Sequence, residues 1–248
     1  MGSDQGFYEE KAELYREAEN PVLLAAVLAS LPVGGRVLDV GCGSGTLLGH
    51  LAGHAGYRAG IELSASAAAA AAQVADEVVN VPVTDDLPFP PSSFDVVVCA
   101  DVLEHLPEPA GALSSVARLC QPGGAVVISV PNVAYWQARL RLLRGIWRYE
   151  PTGLFDSGHL RFLTRETLLE LVAGCGLVVE TLGPAQVPGL ADHQLARVPR
   201  LLRKAVDRSW DTATNRLARR RPTLFAYQLI CVARRTGDGP VDPPIEPI

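Results

Sequence analysis

The sequence predicts a doubly wound α/β protein, a parallel sheet covered by helices on both faces. Three observations carry this. Short β-rich runs alternate with helical runs from residue 36 to 131. The strand-like runs have solid apolar centres, as in "SFDVVVCAD" (93–101), which burial on both faces requires. A glycine-rich turn joins the first strand to a helix in "VLDVGCGSGTLLGHLAG" (37–53), as in folds that hold a ligand at a strand's carboxyl end.

The elements follow in order. "RVLDVG" (36–41) is an apolar strand and "TLLGHLA" begins a helix. "YRAGIEL" (57–63) is a second strand, and "SASAAAAAAQVADE" (64–77) is a helix with a serine start signal and high alanine propensity. "EVVNVPV" (77–83) and "SFDVVVCAD" (93–101) are the third and fourth strands. "PAGALSSVARLCQPGG" (109–124) is a helix stopped by Pro-Gly-Gly, before a fifth strand "AVVISVP" (125–131). The rhythm breaks at 131–164, which is aromatic and arginine-rich and reads as a helical insertion. Helix "TRETLLELVAGCG" (164–176) and strand "LVVETLG" (177–183) restore it. A basic helical excursion (184–222) precedes the last strand, "TLFAYQLICVARR" (223–235). The tail 236–248 is rich in Gly, Pro and acid and is expected to be disordered. Residues 1–235 thus form one domain. Its first 30 residues, with Phe7, Tyr8 and Tyr15 on a short amphipathic helix, are expected to act as a lid.

Composition narrows the function. The 248 residues are 48% hydrophobic and 20% charged, enough for one buried core. A net charge of -5 gives no general reason to expect nucleic acid. The late basic run (Arg197, Arg200, Arg203, Lys204, Arg208, Arg216 and Arg219 to Arg221) reads as a solvated helix face, with an acidic substrate, a membrane surface or a partner as alternatives. Five scattered cysteines form no CxxC pair and fit a reducing cytoplasm. The acidic start is not a signal peptide, and "PVLLAAVLASLP" is shorter than the roughly 20 residues that span a bilayer. Lysine occurs only at 11 and 204, which reads as the coding bias of a GC-rich bacterium.

The glycine turn limits its ligand. A triphosphate loop needs a lysine followed by Ser or Thr, and none is present. Gly41, Gly43 and Gly45 are spaced G-x-G-x-G, not the dinucleotide G-x-G-x-x-G, so they crowd the turn itself. Glu62 ends the second strand 23 residues after Asp39, where an acid accepts hydrogen bonds from a ribose. Both dinucleotides and other adenosine ligands carry one.

"VLDVGCGSG", "GIELS", "DDLPFPPSSFDVVVCADVLEHLPEP" and "LCQPGGAVVISVPN" together resemble the class I S-adenosylmethionine-dependent methyltransferases over residues 36–183. The resemblance implies a Rossmann-like sheet of seven strands with the last antiparallel. It implies S-adenosylmethionine as cofactor and S-adenosylhomocysteine as product. Asp39, Gly41, Cys42, Gly43 and Gly45 would meet the methionine end, Glu62 the ribose and Leu63 the adenine. The acid that takes the adenine amino group usually stands where this chain has Val83; the role passes to Asp85, with Asp86 as the rival. Cys99 and Ala100 would floor the site near the sulfonium.

The acceptor side offers two histidines. His105 in "LEHL" follows strand four and is a candidate base; its alternative is helix packing. Ubiquinone-biosynthesis O-methyltransferases resemble this segment and hold a divalent metal with residues matching Asp101, Glu104 and His105. Three ligands are too few for an oxygen-loving cation, so no metal is expected. His159 lies between Asp156 and Arg161, and Asp156 can orient its imidazole; the alternative is a loop-anchoring cluster. Tyr135, Trp136, Arg139, Trp147, Arg148, Tyr149 and Arg161 suggest an acceptor pocket, or else a plain amphipathic helix. The stretch is similar to insertions in bacterial methyltransferases encoded near glycan and natural-product genes, which implies a sugar or secondary-metabolite hydroxyl, or an amine. Strand four lacks the Asn/Asp-Pro-Pro-aromatic signature of base-amine methylation, so a small molecule is expected as acceptor and nucleic acid is not, while protein methylation stays open. The competing classes are an NAD-dependent oxidoreductase and a catalytically silent binding protein. The oligomeric state is left open, with a homodimer allowed.

Overall fold

A computed structural model describes residues 9, 20–84, 86–185 and 213–237. Phe7, Tyr8, Tyr15, Asp85, Arg197, Arg200, Arg203, Lys204 and Arg208, and the end of the tail, lie outside them. Strand β1 (Arg36–Val40) is the centre of the sheet and pairs in parallel with β2 (Tyr57–Ile61) on one side and β4 (Phe94–Ala100) on the other. Strand β3 (Glu77–Val79) extends the first side. Strands β5 (Cys120–Pro131), β6 (Leu177–Pro184) and β7 (Gln228–Arg235) complete seven strands in the order β3-β2-β1-β4-β5-β7-β6. Only β7 is antiparallel, to both β5 and β6. The direction of travel reverses between β1 and β4, so a crevice opens at their carboxyl ends.

Both faces of the sheet are buried, which the unbroken apolar runs require. Val97 and Cys99 of β4 face one core with Leu113 and Val116 of α4 (Pro109–Leu119) and Leu168 and Val172 of α6 (Arg165–Gly174). Val96 and Val98 face the other, with α1 (Pro21–Ser30), α2 (Thr46–His50) and α3 (Ala65–Ala71). Asn20 caps α1 by accepting the Leu23 N–H at 3.0 Å, and Leu23 and Val27 pack on the sheet. Residues 21–30 are therefore a core layer and not part of a lid: their apolar side is spent on Val96, Val98 and Val127.

Four other boundaries differ from expectation. Helix α4 ends at Leu119, and Pro122-Gly123-Gly124 lies inside β5, where a register shift between Phe94 and Val96 absorbs it. Helix α3 is seven residues, half the expected run. Strand β3 stops early because Asn80 turns back and donates to the carbonyls of Glu62 (2.8 Å) and Leu63 (2.9 Å). Strand β7 starts only at Gln228, after a helical turn α7 (Pro222–Phe225). In the insertion only α5 (Trp136–Leu143) is helical, and the rest is loop.

Candidate active site

The glycine turn follows from backbone sterics. Gly41 has φ +76°, and a Cβ there would lie 2.5 Å from Val102 Cγ2, so only glycine fits. The N–H groups of Gly41 and Cys42 donate to the Ile61 carbonyl at 2.8 and 3.0 Å. Gly45, also left-handed at φ +82°, donates to Cys42 and opens α2. The Gly43 N–H donates to Glu62 Oε2 at 2.9 Å, while Glu62 Oε1 accepts from the Ser64 N–H at 2.7 Å. One carboxylate thus ties the turn to the start of α3. With these donors engaged, the turn offers a ligand bare shape more than hydrogen bonds.

Asp39 and Cys42 are buried, and Leu63 is half-buried. Cys99 is buried and Ala100 half-buried at the end of β4. Burial raises the Cys99 thiol, and the charges of Glu104 and then Asp39 add to it. Cys99 pairs with Val40, the residue before the glycine turn, and precedes Asp101 by two residues. Asp86 is exposed and 3.8 Å from Arg118, which draws it towards the surface. Glu9 accepts from the hydroxyls of Ser64 (3.1 Å) and Ser66 (2.6 Å), and the Ser66 hydrogen bond, its largest influence, holds its carboxyl below the usual range. Glu9 thus touches the chain two residues past Glu62. Neither Glu9 nor Asn80 was singled out by motif; each acts through one hydrogen-bond set that only the folded chain assembles.

Beyond β4 the chain passes through Asp101, itself left-handed at φ +54°, into a 3-10 turn, Leu103–His105. Both Asp101 carboxylate oxygens accept from Gln228 Nε2 at 2.7 Å, and Gln228 Oε1 accepts from Asn20 Nδ2 at 3.1 Å. Both Asp101 oxygens are thereby engaged at the start of β7, and the side chains whose ligand atoms converge are Glu104, His105 and His159. Glu104 is 1% exposed, and neither carboxylate oxygen accepts a hydrogen bond among the described residues. Burial first, then the charges of Asp101 and Asp156, push its carboxyl well above the ordinary value.

The insertion is stitched onto this turn. The N–H groups of Leu160 and Arg161 donate to the Glu104 carbonyl at 2.8 and 2.9 Å. His105 Nδ1 donates to Gly158 O at 3.0 Å and His159 Nδ1 to Leu154 O at 3.2 Å. A carbonyl oxygen only accepts, so both rings carry the Nδ1 hydrogen and Nε2 is the acceptor of the neutral ring. The rings meet edge to face with centroids 4.8 Å apart. Glu104, His105 and His159 each bring one donor atom within 4.8 Å of the others. The three side chains thus converge on one point, although no hydrogen bond from a described residue reaches the Glu104 carboxylate.

The remaining expected residues divide. Asp156 is buried, and its Oδ1 accepts the Gly158 N–H at 2.6 Å. Its carboxylate shapes the loop, while the Leu154 carbonyl orients His159. Arg161 donates to Pro107 O and lies 3.8 Å from Glu108, just past the turn that carries His105. Arg139 is exposed and donates to Ala134 O at 2.7 Å, at the start of α5. Tyr135 is 2% exposed and packs on Trp136 and edge-on against Tyr227 at 5.5 Å. Tyr227, whose hydroxyl oxygen accepts the Leu154 N–H at 2.8 Å, was missed; an aromatic just before the last strand was the available signal. Trp147 and Tyr149 are exposed, with Trp147 edge-on to Phe155 (5.1 Å) and Phe162 (4.8 Å).

Comparisons with known proteins agree with this geometry. The family described as "Methyltransferase domain" matches residues 12–182. A ubiquinone biosynthesis O-methyltransferase of Thiobacillus denitrificans is 33% identical over 191 residues, covering 73% of this chain and 79% of the relative. One from Aeromonas salmonicida is 33% identical over 106 residues, 42% of this chain and 43% of the relative, so that match spans less than half its length. A solved methyltransferase structure from Bacillus halodurans shares the fold at TM-score 0.61 and 17% identity, over 86% of this chain and 98% of that one.

Proposed function

The chain belongs to the methyltransferase-domain family and is an S-adenosylmethionine-dependent methyltransferase, and from that premise we propose that it methylates a hydroxyl of a small molecule, a sugar or a secondary metabolite. Membership removes the nicotinamide reading of the glycine turn. What supports the cofactor in this turn is the row of glycines at the carboxyl end of β1 and the acid Glu62 that follows β2 and reaches the Gly43 N–H. In this reading Gly41, Cys42, Gly43, Gly45 and Asp39 hold the methionine end, Glu62 takes the ribose and Leu63 the adenine. Asp85 takes the adenine amino group, and Cys99 and Ala100 form the floor. The bound cofactor supplies a methyl group activated by sulfonium charge.

A hydroxyl keeps its proton until it attacks, so the chain must provide a base. The observation that carries the proposal is the His105–His159 pair, tautomers set by two carbonyls, beside buried Glu104 at the carboxyl end of β4. His159 Nε2 would accept the hydroxyl proton as the oxygen bonds to the methyl carbon, while S-adenosylhomocysteine leaves with the electron pair of the broken sulfur–carbon bond. The His105 ring lies edge to face against the imidazolium so formed, and Glu104 lies beside it. Half-buried Trp136 and Tyr227, backed by buried Tyr135, would offer the flat apolar wall that a sugar ring or aromatic acceptor packs against. The relatives named as O-methyltransferases support oxygen over nitrogen. One domain with its insertion as acceptor wall suffices for this chemistry, and five free, buried cysteines suit the cytoplasm.

His159→Ala tests the base. Turnover with a hydroxylated acceptor should fall by about 10² or more, the scale of general-base catalysis, with cofactor affinity within about twofold by calorimetry. A lower melting temperature with unchanged turnover would reduce His159 to a loop anchor. Chelation should leave wild-type activity intact; loss rescued by magnesium would transfer the role to a metal.

A further inference from the structure

We propose that the tip of the insertion docks on the surface of an anionic phospholipid bilayer. Residues 142–153 are exposed without interruption. Of the twelve exposed large apolar residues described, seven fall between 140 and 160: Leu140, Leu142, Leu143, Ile146, Trp147, Tyr149 and Leu160. Leu143 is 84% exposed, at the end of α5. Scattered apolar residues on a surface need no explanation, but a contiguous apolar tip does.

Charge selects the occupant. Residues 136–148, "WQARLRLLRGIWR", hold four arginines and no acid in a chain of net charge -5. Arg141 is spent internally, paired with Glu150 at 2.8 Å and lying over Phe155 at 4.3 Å. Arg144 and Arg148 make no ion pair with a described residue. Apolar side chains flanked by arginines that pair with no described acid, and by a tryptophan, match a lipid interface, where the apolar groups enter the acyl boundary and the guanidinium groups meet phosphate. No helix among the described residues is long and apolar enough to cross a membrane, so the contact is peripheral. The tip is also held stiff: Trp147 packs on Tyr149, Phe155 and Phe162, and Phe162 stands 6.3 Å from the His159 ring. Docking would therefore bring the bilayer against the same loop that carries His159. It does not depend on which hydroxyl is methylated.

The test is flotation of the full chain with vesicles of phosphatidylcholine alone and of phosphatidylcholine mixed equally with phosphatidylglycerol. The protein should float with the anionic vesicles, not with the neutral ones, and be released by high salt. Arg144→Glu/Arg148→Glu should lower partitioning by at least about tenfold, since each cation near such a surface contributes about fivefold. Leu143→Ala/Trp147→Ala should also weaken it. Both variants should bind S-adenosylhomocysteine, and the arginine variant should melt as the wild type does, which separates failure of docking from failure of the methyltransferase site. No flotation with anionic vesicles, or flotation unchanged by both variants, overturns the proposal. So does light scattering that shows a dimer split by Leu143→Ala/Trp147→Ala, since the tip would then face a second copy.

Discussion

Glu104 is a carboxyl enclosed by protein, with no hydrogen bond from a described residue to offset the loss of water. Its pKa therefore rises well above the ordinary 4.5, chiefly through burial. Between those two values the folded chain holds a proton that the unfolded chain has released. The stability Glu104 contributes relative to a permanently neutral side chain is thus complete below about 4.5 and lost as pH rises towards the folded value. Denaturation of wild type and Glu104→Gln across pH should show the wild type losing ground as pH rises, by up to about 1.4 kcal/mol per unit. Parallel curves would mean that the carboxylate is ionised and paired with an imidazolium. Glu62 makes the opposite use of a carboxyl, since both its oxygens are served by backbone N–H groups. Glu62→Ala should weaken S-adenosylhomocysteine binding by more than about 1 kcal/mol, the scale of a charge-assisted hydrogen bond. Unchanged affinity in calorimetry would remove the ribose assignment.

The cofactor crevice is made at the ends of elements, and its glycines serve packing between elements as much as the ligand. A Cβ on Gly45 would lie 2.9 Å from the Ala71 Cα of α3, which is backbone and cannot swing aside. Gly45→Ala should therefore destabilise the chain by more than about 1 kcal/mol, the left-handed φ adding to the collision. A denaturation midpoint equal to wild type would show that α2 and α3 separate freely. Strand existence was legible because a strand buried on both faces writes itself as an apolar run; "DVVVCA" needs no context. Element ends were not. Pro122-Gly123-Gly124 looked like a helix stop, but Cys120 already pairs with Phe94, and the ladder outweighs local propensity. The helix at 21–30 carries no polar face that would have assigned it to the core instead of a lid, and only its contact with Val96 and Val127 decides.

At the scale of the molecule, stability and ligand binding are linked. A ligand that binds only the folded chain should raise the melting temperature; S-adenosylhomocysteine at about 100 times its Kd adds about 2.7 kcal/mol. NAD at the same concentration should add nothing, and a shift with NAD alone would undo the cofactor assignment. The sequence by itself determined the sheet, the glycine turn and the acid after β2, because these sit within short segments whose spacing is set by strand and turn geometry; the cofactor class came from the resemblance of the whole motif series, since an acid for a ribose serves a dinucleotide as well. The tertiary structure alone decided which acceptor-side groups meet. His105 and His159 are 54 residues apart in the chain, and the turn after β4 binds the insertion through the Glu104 carbonyl to bring them together. It likewise sent Arg161 to Pro107 and Asp101 to Gln228. Those choices depend on backbone hydrogen bonds between distant segments, which no local pattern of side chains encodes.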